Sequence, residues 1–299
     1  MRIALVHSFY SEANPSGENR AVMAQLNLLS SAGFEVKLFD THTDILRKQS
    51  FYNIRSAFRV AFGIGLNPSG EIRKFDPDFI FIHNQFPNYA DRWSKKMRKP
   101  VIEFIHNYRA YCANGLLFRN GKICTKCLNG ALWNAVRHKC YKSEVLSTLP
   151  IVINQIRKRR LYKKGPNPNL FVVPSTTASR ILESSGMDTS RVRLIPNFVE
   201  DFAKSRELNV SDKSEIWITA GRLSQEKGFR SLIQNWPDDK ELHVAGAGPQ
   251  FELLRNLVKD RNNIKLLGEV NSELLRKNLF LYKAAVFPSV SFEVAPLMI

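Results

Sequence analysis

The chain has 299 residues, 44% of them hydrophobic, four cysteines and a formal net charge of +17. This length supports two cores of ordinary domain size, and so few cysteines do not form a secreted disulfide framework. The apolar run before His7 is too short for a signal peptide and no stretch approaches a membrane span, so we expect a cytoplasmic protein. The charge leaves nucleic acid, an anionic membrane leaflet and a phosphate-bearing substrate open as partners.

The first half of the chain alternates short apolar runs with helical spacing, as β-α-β units do. We expect a strand at 3–6, a helix from about Glu18 to Gly33 and a strand at 34–39. Further strands are expected at 79–82, 101–105, 170–173 and 192–195. Units of this kind build parallel sheets with right-handed crossovers.

An insert at about 108–141 interrupts this rhythm and carries all four cysteines, which are Cys112, Cys124, Cys127 and Cys140. The close pair suits a tetrahedral thiolate site, because a two-residue spacer lets both sulfurs converge on one ion. The second close pair of a full zinc signature is absent. A structural zinc and four reduced, independently packed thiols therefore both stay open, and a disulfide is disfavoured.

The densest basic run follows, from Arg157 to Lys164. The simpler interpretation is a solvated loop or helix face. The functional interpretation is contact with anionic lipid, to which each nearby Lys or Arg contributes on the order of 1 kcal/mol.

A polar, unpatterned segment at 201–213 predicts a linker, and a second β/α series follows it. We expect strands at 216–219, 242–245, 264–267 and 284–287, with helices at 229–236, 250–258 and 272–279. The loop after the first of these strands carries Arg222 and Lys227 between glycines. Such a pair suits a diphosphate, because guanidinium forks onto two oxygens and ammonium adds a compact charge. A solvated surface loop is the alternative.

Six short motifs occur in a fixed order: 173–175, 195–197, 221–228, 244–249, 267–270 and 287–293. As an ordered set they resemble family 4 glycosyltransferases of the GT-B kind, over nearly the whole chain. The resemblance implies an α/β fold with two Rossmann-like domains facing a central cleft. The acceptor-side domain would span 1–200 and the nucleotide-sugar-binding domain 214–299, the latter incomplete.

The resemblance also implies a retaining transfer of a sugar from a nucleoside diphosphate donor, with no metal required for catalysis. The residues matching Arg222 and Lys227 bind the donor's phosphates in this family. Glu293 matches the first of a pair of glutamates eight positions apart and lies beside the donor sugar. The second would fall at position 301, beyond Ile299, and we therefore expect a C-terminally truncated fragment.

Three further residues are assigned by the same resemblance. The main chain at Val270 is expected to face the nucleobase. Gly17 would approach the diphosphate closely at a helix N-terminus, although Ser16 departs from the family's usual glycine pair. His106 matches a histidine near the donor sugar and reaction centre, and its alternative interpretation is an ordinary histidine at a strand end.

The expected acceptor is a glycan or a polyprenyl-diphosphate-linked glycan in cell-surface polysaccharide synthesis, with the protein peripheral on the inner face of the membrane. Two alternatives remain on the same fold, a nucleotide-sugar epimerase and an inactive scaffold. A zinc-containing nucleic-acid-binding protein is a third. It is disfavoured because the basic residues are spread over both halves without interleaved aromatic residues, so nucleic acid is not an expected partner.

Overall fold

The computed structural model describes residues 1–10, 17–164, 168–198 and 214–296. The expected linker at 201–213, Ser16 and most of the loop before Gly17 lie outside the described residues. Contacts divide the described chain into two compact units. The first unit holds the residues up to 117 together with 124–198 and 293–296, and the second holds 118–123 and 214–292.

The first unit is built on a six-stranded parallel sheet in the order β2-β1-β3-β4-β7-β8. Its strands are β1 (Arg2–Phe9), β2 (Glu35–His42), β3 (Phe79–Ile82), β4 (Val101–Phe104), β7 (Leu170–Val173) and β8 (Val192–Leu194); a two-residue hairpin, β5 (Phe118–Arg119) and β6 (Lys122–Ile123), belongs to the second unit. The strand order reverses between β1 and β3, and ligands of open α/β sheets bind beyond the carboxyl ends of the strands at such a point.

Helices connect the strands of the first unit. They are α1 (Gly17–Ser31), α2 (Thr43–Leu46), α3 (Tyr52–Phe62), α4 (Ser69–Phe75), α5 (Trp133–Arg137), α6 (Val145–Lys164) and α7 (Thr176–Ser184). The sequence pattern did not predict α2, α3 or α4. In α3 large apolar residues lie on the exposed side of the helix as well as on the buried side.

The long helix α6 packs against α3 and carries the basic run, three of whose cations are held by partners in the fold. Arg157 pairs with Asp91 at 2.7 Å, Lys158 lies 3.5 Å from Glu103, and the Arg159 guanidinium donates to the carbonyl of Cys127. The pairing outweighs the effect of burial and holds the pKa of Asp91 below its ordinary value. A solvated face therefore does not describe these three residues.

The second unit has a four-stranded parallel sheet in the order β11-β10-β9-β12. Its strands are β9 (Trp217–Ala220), β10 (Leu242–Ala245), β11 (Ile264–Gly268) and β12 (Ala284–Ala285), with helices α8 (Phe229–Gln234), α9 (Phe251–Leu257) and α10 (Ser272–Asn278). Here the order reverses between β9 and β12. In the described ranges of the chain, no helix has the length and apolar character needed to cross a bilayer.

Candidate functional site

Three histidines gather at the carboxyl ends of the central strands of the first unit. His7 lies near the end of β1, His83 follows β3, and His106 follows β4. The rings of His7 and His83 have centroids 6.4 Å apart, and those of His83 and His106 are stacked at 5.1 Å. These imidazoles therefore line the point where the strand order reverses.

The histidines are held as neutral rings. Burial lowers the pKa of His7 to about 4 and that of His106 to about 4. Burial and the adjacent His106 lower the pKa of His83 well below its ordinary value. Nδ1 of His83 and Nε2 of His106 lie 2.8 Å apart, so one ring donates an N–H and the other accepts. His106 is only partly buried and thus offers a neutral polar edge to a ligand.

The first turn of α1 is tied to the loop that carries His106. Asn107 donates its side-chain N–H to the carboxylate of Glu18 at 3.3 Å, so the residue after His106 contacts the residue after Gly17. Burial raises the pKa of Glu18 to about 7, with the nearby charge of Arg109 acting in the opposite direction. Glu18 can therefore hold or release a proton near neutral pH.

Arg109 has a fixed position beside this carboxyl group. Its guanidinium donates to the carbonyl of Ala113 at 2.9 Å and lies 4.3 Å from the ring centroid of Phe86. Its backbone N–H donates to the side chain of Asn107, the same residue that bonds Glu18. The site in the first unit thus combines neutral imidazoles, one carboxyl group and one cation.

Glu293 belongs to the first unit and lies near the same loop. Tyr108 is fully buried, and burial together with the carboxylate of Glu293 raises the pKa of its phenol. Tyr108 is two residues beyond His106 in sequence. The structure therefore places Glu293 in the neighbourhood of the loop that the resemblance had connected with the reaction centre.

In the second unit Arg222 follows β9 and is oriented by an acidic neighbour. Its Nη2 lies 2.8 Å from Oε1 of Glu226, and the Ser224 hydroxyl donates to the same oxygen at 2.6 Å. Burial opposes the shift, but these two hydrogen bonds hold the pKa of Glu226 below its ordinary value. The Arg222 side chain is 52% exposed, so donors of its guanidinium that do not face Glu226 are open to a ligand.

The turn carrying Arg222 and Lys227 packs on the segment that follows β12. The hydroxyl of Ser289 donates to the Glu226 carbonyl at 3.2 Å, and Val290 N–H donates to the same carbonyl at 3.0 Å. Gly228 has φ +74°, and a Cβ there would lie 2.0 Å from the Pro288 carbonyl oxygen. The two cations thus lie at the reversal of strand order in this unit.

Two glycines allow the loop after β10 to cross the same turn. A Cβ on Gly246 would lie 1.9 Å from the carbonyl oxygen of Gly221, and one on Gly248 would lie 2.6 Å from that of Leu223. Both glycines also have positive φ. The backbone at these two glycines therefore packs directly on the backbone of the Arg222 turn, a contact that side chains would prevent.

The remaining donor-binding candidates lie at element ends. Gly17 is the exposed first residue of α1. Val270 follows β11, directly before Asn271, which caps α10 by accepting hydrogen bonds from the backbone of Glu273 and Leu274. Their contacts with a nucleotide stay predictions.

The four cysteines are reduced thiols of the first unit. Cys112 and Cys127 are buried, and Cys140 packs on the core cluster that contains Cys127. Burial and the three other thiols raise the pKa of Cys127 to about 11. Among the described residues, no three His, Cys, Asp or Glu side chains are arranged to hold a metal ion. The structural zinc stays a prediction.

Several residues that shape the site were not predicted from the sequence, namely His7, Glu18, Asn107, Arg109 and Glu226. Glu18 and Glu226 each stand next to a candidate residue, and this adjacency was the available signal. The pKa of each of these two carboxyl groups is set by burial and by partners that are distant in sequence or brought close by a turn. A residue pattern displays neither.

Comparison with known proteins gives a consistent result. The sequence model of Glycosyltransferase Family 4 matches residues 15–201, which is more than half of the chain. A curated protein of Methanocaldococcus jannaschii, named an uncharacterized glycosyltransferase, is 24% identical over 225 residues, covering 71% of this chain. The chain spans 52% of the length of that relative.

Solved structures share the fold. The lipopolysaccharide outer core galactosyltransferase WaaB covers 100% of this chain and 76% of its own, with 13% identity and a TM-score of 0.57. Sucrose-phosphate synthase of Thermosynechococcus elongatus covers 99% and 77%, with 15% identity and a TM-score of 0.60. HepE of Anabaena, solved with UDP-glucose, covers 98% and 75%, with 14% identity and a TM-score of 0.56. The predicted GT-B fold is confirmed.

Proposed function

The chain belongs to glycosyltransferase family 4, and from this premise we propose that it transfers a sugar from a nucleoside diphosphate donor to an acceptor, with retention of configuration. The observation that carries the proposal is the turn after β9. Arg222 is anchored by Glu226 yet half exposed, and Lys227 follows on the same turn. Two cations at a reversal of strand order suit a diphosphate leaving group.

In this proposal the two cations offset charge that develops on the diphosphate as the glycosidic bond breaks. This role requires no catalytic metal. Val270 and Gly17 contribute main-chain groups to the nucleobase and the diphosphate, and Glu293 faces the donor sugar. The solved complex of HepE with UDP-glucose makes a uridine nucleotide sugar the first donor to test.

His106 acts in the proposal as a neutral polar contact to the donor sugar. Its lowered pKa supports this role, because a neutral imidazole carries a donor and an acceptor nitrogen and can hydrogen-bond a sugar hydroxyl without adding charge. The bond from His83 fixes its ring, and a fixed ring orients a hydroxyl group without loss of side-chain freedom on binding.

The acceptor side of the proposal is a glycan, carried on polyprenyl diphosphate at the inner face of a membrane, in the synthesis of surface polysaccharide. The strongly basic balance of the chain supports an anionic acceptor or anionic surroundings. The identity of the sugar depends on the shape of the donor pocket and is left to experiment.

Donor binding is the direct test. Calorimetry with UDP and UDP-glucose should detect binding by the full chain. Lys227→Ala should lower the affinity by about tenfold or more, because one charge-assisted contact is lost. Lys259→Ala, which removes an exposed cation elsewhere in the second unit, should bind like the original. Equal binding by all three proteins would remove the turn from the site.

The reaction is tested by incubation with nucleotide sugars, with and without a lipid-linked glycan acceptor. Transfer requires the acceptor. Conversion of the donor without an acceptor would identify an epimerase, and donor binding without either reaction would identify an inactive scaffold.

A further inference from the structure

The exposed face of α3 carries a row of large apolar side chains. Phe51, at the start of the helix, is 71% exposed, and Ile54, Phe58 and Phe62 are 68%, 53% and 42% exposed. The last three are spaced by four residues and so lie on one face of the helix. We call these four residues the apolar row. Single exposed apolar residues are ordinary on protein surfaces, but a contiguous row on one helix marks an interaction site.

The row continues beyond the helix and is internally packed. The rings of Phe58 and Phe62 have centroids 4.8 Å apart. Ile64 and Leu66, just after the helix, are 51% and 44% exposed. The opposite face of α3, formed by Ser56, Val60 and Ala61, is buried, which fixes the direction of the apolar row toward solvent.

The segment of sequence that carries the row has charges of one sign. From residue 45 to residue 70 the sequence contains no Asp or Glu, and it contains Arg47, Lys48, Arg55 and Arg59. A surface pocket joins the side chains of Arg47 and Lys142 to those of Phe51 and Ile54. Cations therefore border the apolar side chains at the point where they are most exposed.

We propose that this face of α3 docks on an anionic lipid bilayer, with the apolar row inserted at the level of the acyl-chain boundary and the flanking cations against the lipid headgroups. Apolar side chains on one helix face with Lys and Arg beside them are the pattern of helices that lie in a membrane interface. The charge selects a negatively charged lipid surface over a second copy of this chain, whose own row would bring the same cations into contact.

This proposal replaces the basic run of α6 as the lipid contact. Arg157, Lys158 and Arg159 are engaged by Asp91, Glu103 and a backbone carbonyl inside the first unit. By contrast, Arg47, Lys48 and Arg55 near the apolar row are exposed. Docking through α3 does not depend on the sugar-transfer reaction, so the two proposals can fail separately.

Co-sedimentation of the full chain with lipid vesicles tests the surface. The original protein should bind vesicles of phosphatidylglycerol and phosphatidylethanolamine and bind poorly to phosphatidylcholine alone, with binding to the anionic vesicles weakened by salt. The double variant Phe58→Ser/Phe62→Ser should have an affinity for the anionic vesicles that is lower by about tenfold or more. The reason is that it lacks the two rings that enter the bilayer on docking.

A matched control lies in the same unit. Met23 and Leu28 on α1 are 41% and 51% exposed, and Met23→Ser/Leu28→Ser should retain binding. Arg47→Gln/Lys48→Gln should weaken binding to anionic vesicles only. Both double variants that alter apolar residues should unfold at the original temperature, since the changed side chains are exposed.

Fluorescence quenching tests whether the apolar row enters the bilayer. The original protein, with its four tryptophans, sets the fluorescence background. The fluorescence that Phe58→Trp adds to this background should be quenched by brominated lipids, whereas the fluorescence added by Leu28→Trp should not. Unchanged sedimentation of Phe58→Ser/Phe62→Ser, or an unquenched tryptophan at position 58, would overturn the proposal. A lipid-free dimer that the same double variant dissociates would also overturn it, in favour of a second copy as the occupant. Donor calorimetry on the same variants should be unaffected.

Discussion

Nδ1 of His83 and Nε2 of His106 lie 2.8 Å apart, joining the residues that follow two adjacent strands of the first sheet. Only one of the two nitrogens can carry the proton between them, and the pKa of each ring is lowered by burial. The pair therefore stays uncharged at neutral pH, and its protonation works against the folded state.

The free energy of unfolding should fall as the pH is lowered. An unfolded histidine binds a proton with a pKa of 6.5, whereas His106 does so only at about 4 in the fold. Between these values the unfolded state holds more protons, so acidification favours it. From pH 7 to pH 5 we expect a loss of about 2 kcal/mol from His106 alone. Urea unfolding at both pH values measures it.

His106→Gln should show a shallower pH dependence by about that amount, because the titrating ring is gone. The same slope in His106→Gln as in the original protein would contradict the neutral pair.

Glu18 should produce the opposite pH dependence. Its pKa is about 7 in the fold and 4.5 when unfolded, so between these values the folded state holds more protons and stability falls as the pH rises. Glu18→Gln, which cannot ionise, should be more stable than the original by about 3 kcal/mol at pH 8 and show little difference at pH 4.5. Glu71→Gln, at an exposed carboxylate, should change neither value.

Substitutions of Arg222 and Glu226 should compensate each other in the free energy of unfolding but not in donor affinity. Arg222→Ala removes the ionic partner of a largely buried carboxylate and should lower the free energy of unfolding by about 1–3 kcal/mol. Adding Glu226→Gln should restore most of that stability, because no unpaired charge remains. Calorimetry should still find weak donor binding by the double variant. Restored donor affinity would assign Arg222 a purely structural role.

Gly246 should tolerate no side chain. Gly246→Ala would place Cβ 1.9 Å from the Gly221 carbonyl and should lower the free energy of unfolding of the second unit by about 3 kcal/mol or more. Gly268→Ala is the matched variant. Gly268 has φ +69°, but a Cβ added there would meet no atom within 4 Å, so the change should cost only about 1 kcal/mol. An equal loss of stability in the two variants would mean that the positive φ, and not the contact with the Gly221 carbonyl, causes the loss.

The thiols should differ in reactivity after chelator treatment. With a pKa of about 11 and a buried side chain, Cys127 should react with a disulfide reagent at pH 8 far more slowly than the partly exposed Cys124. Zinc analysis before chelation tests the four-cysteine site. One bound zinc per chain, lost in Cys124→Ser/Cys127→Ser, would support it, and its absence from untreated protein would favour separate thiols.

Much of the fold followed from local patterns. The strands at the start of each unit were predicted because apolar runs that end at polar residues are typical of buried parallel strands. The helices at 43–75 were not predicted, although Ile54, Phe58 and Phe62 of α3 recur every four residues as in a helix.

The candidate site was predicted in part. Arg222 and Lys227 were predicted because two cations lie in the loop after an apolar run, and His106 was assigned by the family resemblance. Glu226 and Glu18 did not stand out, because each acquires its character from neighbours: one from Ser224 and Arg222 in a tight turn, the other from burial beside Asn107. Solvent exclusion and partner distance set these properties.

The sequence by itself determined the family, the alternation of strands and helices, and the positions at which polar residues leave the sheets. Only the tertiary structure decided which histidines share a proton, which carboxyl group is raised in pKa, and which cations face solvent. The physical reason is that periodicity and motif spacing act over a few residues, whereas desolvation and hydrogen bonding depend on atoms brought together from distant parts of the chain.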